Sequence, residues 1–79
     1  MAIENGHIHA INNLALYYYE TAQDYEKAKK YYLMAIDKGD STAMFNLATY
    51  YETIEEDYEQ AQKYYSMATD NGYIDVTNM

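Results

Sequence analysis

The sequence predicts an all-α protein: a solenoid of two 33-residue helix-turn-helix repeats followed by the start of a third first helix. Three observations carry this reading. The chain repeats itself at a fixed period, its apolar residues recur at helical spacing within each period, and a glycine stands at every period boundary. Residues 6–38 align without a gap on residues 39–71, with identical residues at 17 of 33 positions, and Gly6, Gly39 and Gly72 mark the phase. A period of this length is the mark of stacked units, each burying its apolar face against its neighbours.

Each element follows from local signals. Ala10, Leu14, Ala15 and Tyr18 lie on one helical face, and Ala43, Leu47, Ala48 and Tyr51 repeat them, which predicts a first helix at 8–20 and 41–53. Tyr25, Ala28, Tyr32 and Ala35, echoed by Tyr58, Ala61, Tyr65 and Ala68, predict a second at 25–38 and 58–71. Asp24 and Asp57 stand where the second helices begin and can accept from free N–H groups of the first turn. Gly39 and Gly72 follow the last periodic residues, where a left-handed residue closes a helix at little cost. Glu26 with Lys30, and Glu59 with Lys63, are placed for i, i+4 pairing. The alanines let facing helices approach, and the tyrosine doublets 17–18, 31–32, 50–51 and 64–65 are expected to send one ring into their own repeat and the other toward the next. In the last segment Val76 is in register with Ala10 and Ala43, while the next packing leucine would fall at position 80. Either a fragment of a longer array or repeat ends that pair with another copy would accommodate such open faces.

Composition restricts function. The 79 residues include no cysteine and no proline, so neither a disulfide framework nor a thiolate metal site is available. Five lysines oppose thirteen acids, a net charge of −8 with no arginine. Nucleic acid and anionic membrane surfaces are therefore poor partners. There is no signal-like start or membrane-length apolar run, and a cytoplasmic location is expected. His7 and His9 lack an evident third ligand, and Ser41 and Ser66 lack a nucleophile's setting. No catalytic residue, metal or cofactor is expected.

The strings Ala10-x3-Leu14-Ala15-x2-Tyr18 and Asp24-x2-Lys27-Ala28-x3-Tyr32-x2-Ala35-x3-Gly39, with their second copies, resemble the Sel-one-like repeat, a relative of the tetratricopeptide repeat. The twelve-residue step from Ala35 to Leu47 is similar to that family's short link. Two features depart from it: the Gly-x-Gly loop between the paired helices is missing, and Tyr18 to Ala28 is about three residues short. The tyrosine-rich, loop-shortened form resembles repeats of giant DNA viruses.

The resemblance implies a right-handed α-α superhelix that binds other proteins and has no catalytic residues. It puts the first helices on the concave face. His9, Asn12, Leu16 and Tyr19, then Thr42, Phe45, Thr49 and Glu52, then Asp75 and Asn78 would line that groove, with Asn13 and Asn46 at its edge. Glu55, Glu56, Asp57 and Glu59, with Glu52, form an acidic edge, which reads either as a solvated loop with capping carboxylates or as a docking edge for a basic peptide. The function expected is an adaptor or scaffold holding a partner peptide or helix in the groove. The alternative is a structural, self-associating block whose exposed repeat ends form a homo-oligomer.

Overall fold

The computed structural model describes residues 2–73, with side chains from His9 onward; the segment 74–79, with Val76 and the expected groove residues Asp75 and Asn78, lies outside the described residues. The order is α1 (Ala2–Tyr17), a π-helical turn (Tyr18–Ala22), α2 (Tyr25–Asp37), α3 (Ser41–Tyr50), a second π-helical turn (Tyr51–Glu55) and α4 (Tyr58–Asp70). α1 with α2 and α3 with α4 form two helical hairpins, and α2 packs against α3 to join them. The fold is an all-α helical repeat.

The predicted caps form. Asp24 accepts from the Lys27 N–H at 3.3 Å, and Asp57 from the Gln60 N–H at 3.2 Å. Gly39 and Gly72 take φ of +91° and +90°. Beyond Gly39 the Asp40 N–H returns to the Ala35 carbonyl at 3.1 Å, and beyond Gly72 the Tyr73 N–H returns to that of Ala68 at 2.9 Å. These are the closing bonds of a glycine-terminated helix. Asp40 serves two elements: its side chain also accepts from Thr42 and Ala43 N–H at 3.0 and 3.4 Å and starts α3.

The missing Gly-x-Gly loop is replaced by the two π turns. Each widens the last turn of its first helix until Gln23 or Glu56 swings into the left-handed region, at φ 54° and 53°. The Tyr18 carbonyl then receives the N–H of both Gln23 and Asp24, and Tyr51 does the same for Glu56 and Asp57. Two non-glycine residues therefore hold a conformation that costs roughly 1 kcal/mol each. In exchange the connection needs only two residues before the next helix begins. The predicted i, i+4 pairs do not form: the Lys30 and Lys63 ammonium groups lie over the Tyr31 and Tyr64 rings, 5.8 and 5.3 Å from the centroids.

The core is built from small residues and rings. Ala15, Ala28, Ala35, Ala43, Ala48 and Leu47 are fully buried, and Tyr32 nearly so. Inside each repeat one ring pair stacks: Tyr18 on Tyr31 at 5.6 Å and 7°, and Tyr51 on Tyr64 at 5.8 Å and 12°. Tyr50 crosses the junction between repeats, its ring 6.4 and 6.2 Å from those of Tyr19 and Tyr25. Its direction corrects the expectation for this doublet: Tyr51 stays in its own repeat, but Tyr50 meets the preceding repeat and not the next. Leu14 also departs from the expected core, being 39% exposed where Leu47 is at 0%. α2 covers the face of α3 that carries Leu47, and no described element covers the matching face of α1.

Candidate partner-binding surface

The first helices of the two repeats are tied side by side. Asn46 Nδ2 donates to Asn12 Oδ1 at 3.2 Å, and the Tyr19 and Thr53 hydroxyls meet at 3.0 Å. Asn12 is buried at 4% exposure and Asn46 half-buried. The bond uses one amide hydrogen of Asn46 and one lone pair of Asn12, leaving Asn12 with its NH2 group and Asn46 with its carbonyl.

Farther along, polar and aromatic groups interlock. The Thr49 hydroxyl donates to the Phe45 carbonyl at 3.2 Å, and its oxygen lies 3.3 Å from that of the Tyr65 hydroxyl. Tyr65 donates to Glu52 at 2.8 Å. The Phe45 ring meets Tyr65 edge-on at 5.2 Å and stacks on Tyr73 at 4.6 Å and 20°. Of the other expected groove residues, His9 and Asn13 are exposed, Thr42 is half-buried, and Leu16 is half-buried against the core.

The expected acidic edge is divided. Glu55 accepts from the Tyr50 hydroxyl at 2.5 Å and faces the Lys29 ammonium at 3.4 Å. Asp57 caps α4, and Glu56 holds the left-handed turn. Glu52, Glu55, Glu56 and Glu59 are all exposed, the last two without a side-chain partner in the edge, and Asp57 is half-buried. Among the described residues no group of three or more His, Cys, Asp or Glu side chains could hold a metal, and no helix is long and apolar enough to cross a membrane.

Sequence reasoning missed two links across the repeat junction. In the sequence Glu55 reads only as part of the acidic edge and Tyr50 only as one of a tyrosine doublet, and nothing joins them to Lys29, because their meeting depends on how α2 lies against α3. Asn12 offered a faint one. A short amide on a helix beside an apolar stripe is a candidate for a buried hydrogen bond.

The Sel1 repeat family model matches residues 8–40 and 41–73. The chain belongs to the Sel1 repeat family. Both matched units are 33 residues long and are phased two residues later than the period read from the glycines. No curated protein and no solved structure matches the chain. Sel1 repeats are generally protein-interaction modules, which supports an adaptor or scaffold role for this chain.

Proposed function

We propose that the surface formed by the first helices binds an extended segment of a partner protein, with the Asn12–Asn46 pair as its polar centre. The single observation behind this is that pair: the donor left on Asn12 and the acceptor left on Asn46 are complementary to the C=O and N–H of one backbone peptide group. Leu16 and Tyr19 on one repeat and Phe45 and Thr49 on the other flank it with half-buried apolar and aromatic surface, which adds contact area at small entropic cost because the rings are already packed. A basic segment suits the remaining charge. Glu56 and Glu59 are exposed, and the net charge of −8 would draw cations toward the site at long range.

Selection of twelve-residue peptides from a random display library, followed by calorimetric titration of the enriched peptides, tests this reading. Enriched peptides should be rich in Lys or Arg and should lose affinity about tenfold with Asn46→Leu, a loss expected when one buried polar pairing fails. Phe45→Ala should weaken them as well, with helicity unchanged by circular dichroism. Binding indifferent to both substitutions would rule this surface out as the site.

A further inference from the structure

The α2–α3 junction supplies a template for contact between copies. On α3, Ala43 and Leu47 are at 0% exposure and Tyr50 at 4%. The residues 33 positions earlier are chemically identical: Ala10, Leu14 and Tyr17. Yet Ala10 is exposed, Leu14 is 39% exposed and Tyr17 52%. Local sequence cannot account for the difference. α3 has α2 lying over it, and the same face of α1 has no described neighbour.

The accepting side is repeated too. Tyr25, Ala28 and Tyr32 of α2 correspond to Tyr58, Ala61 and Tyr65 of α4. Those three α4 residues line an open concavity of about 480 Å³ together with Glu52, Gln62 and Thr69. One molecule thus carries both halves of an interface that it already makes once internally. We propose that α4 of one copy receives α1 of a second copy in the register in which α2 receives α3, joining the chains head to tail.

The chemistry of the contact follows from the substitutions between the two halves. The Lys29–Glu55 ion pair that spans the internal junction has Gln62 and Ala22 at the matching positions, so the contact between copies lacks that pair and rests on apolar burial. Each chain carries −8. Copies therefore repel, and added salt should strengthen association by screening that repulsion. Because the two faces differ, the contact is heterologous and does not close at two copies.

Sedimentation velocity of the 79-residue chain over a range of concentrations and salt tests the proposal. The wild type should grow beyond dimers with concentration, and more so in high salt. Leu14→Glu and Tyr58→Glu each place a charge in one face only, at residues that are already exposed. Either alone should weaken association more than about a hundredfold, whereas mixing the two should give pairs and nothing larger. Should Leu14→Glu lose helicity, Tyr17→Glu takes its place. A wild type that stays monomeric at every concentration overturns the proposal. Growth that survives either substitution, or a mixture that remains monomeric, overturns it equally. Leu14 and Tyr58 stand outside the proposed peptide surface, so monomeric variants should still bind the selected peptides.

Discussion

Tyr50 donates its hydroxyl proton to Glu55 at 2.5 Å, and the same carboxylate oxygen stands 3.4 Å from the Lys29 ammonium. Lys29 also lies over the Tyr51 ring, 5.0 Å from its centroid. One carboxylate of the second repeat thereby ties its own first helix to α2 of the repeat before it. The hydrogen bond from Tyr50 outweighs the opposing effect of burial and, with the nearby Lys29 charge adding to it, holds the Glu55 carboxyl below the usual carboxylate range. Burial alone works against the Lys29 charge, but Tyr51 and Glu55 outweigh it and raise its pKa above the usual lysine value.

This link predicts an acid-sensitive stability. The folded pKa of Glu55 is depressed, so its contribution is present above the unfolded value of about 4.3 and is lost as pH falls through the folded one. Glu55→Gln should cost about 0.5–1 kcal/mol at neutral pH, small because the pair is a third exposed. Urea denaturation across a pH series should show the deficit closing below about pH 4. A deficit that does not vary with pH would mean the carboxylate charge has no part in it.

The alkaline side runs in the opposite direction. Burial, with smaller contributions from Tyr19 and Glu20, pushes the Tyr32 phenol well above its usual range. Burial and then the hydrogen bond to Glu55 do the same for Tyr50. Both neutral phenols are favoured by the fold, so their stabilisation is intact below the unfolded value of about 10 and is lost as pH rises beyond it. Ultraviolet titration of the twelve tyrosines should show a late-ionising fraction that merges with the rest in urea. A single transition near pH 10 in the folded chain would contradict this.

Leu14 and Leu47 should respond unequally to the same truncation. Leu47→Ala opens a cavity between α2 and α3 and should cost about 2–5 kcal/mol. Leu14→Ala removes a side chain that is 39% exposed and should cost less than about 1 kcal/mol. Urea midpoints measured at low protein concentration, where copies do not associate, make the comparison; equal losses would mean that α2 is not what buries Leu47.

The left-handed residues offer a gain. Gln23→Gly and Glu56→Gly relieve a φ near +54°, and the relief should exceed the entropy that glycine adds to the unfolded chain, leaving about 0.5 kcal/mol of stabilisation at each site. Thermal melting should rise by a few degrees. A fall at both positions would show that the Gln23 and Glu56 side chains hold the turn by contacts of their own.

Much of the fold was legible residue by residue. Asp24 and Asp57 capped the helices they preceded, Gly39 and Gly72 ended those they followed, and the alanine and tyrosine stripes placed α2, α3 and α4 to within a turn, whereas α1 begins at Ala2, six residues before the expected start at residue 8. The π turns were not legible. A bond reaching back five residues leaves no trace in a 3.6-residue periodicity, and Gln23 and Glu56 do not announce a positive φ as glycine would. Among the site residues, the Asn12–Asn46 bond depended on the distance between two helices, which no local pattern of residues reports.

Periodicity and capping are local properties, so the order of the four described helices and their pairing into two near-copies were already written in the order of amino acids. Burial is not local. Leu14 and Leu47, or Tyr17 and Tyr50, have the same identity and the same place in the period, and only the helix laid against each decides whether water reaches it. Packing likewise brought Lys29 to Glu55 and Asn12 to Asn46, because a contact between repeats is a property of two surfaces meeting and neither surface carries it alone.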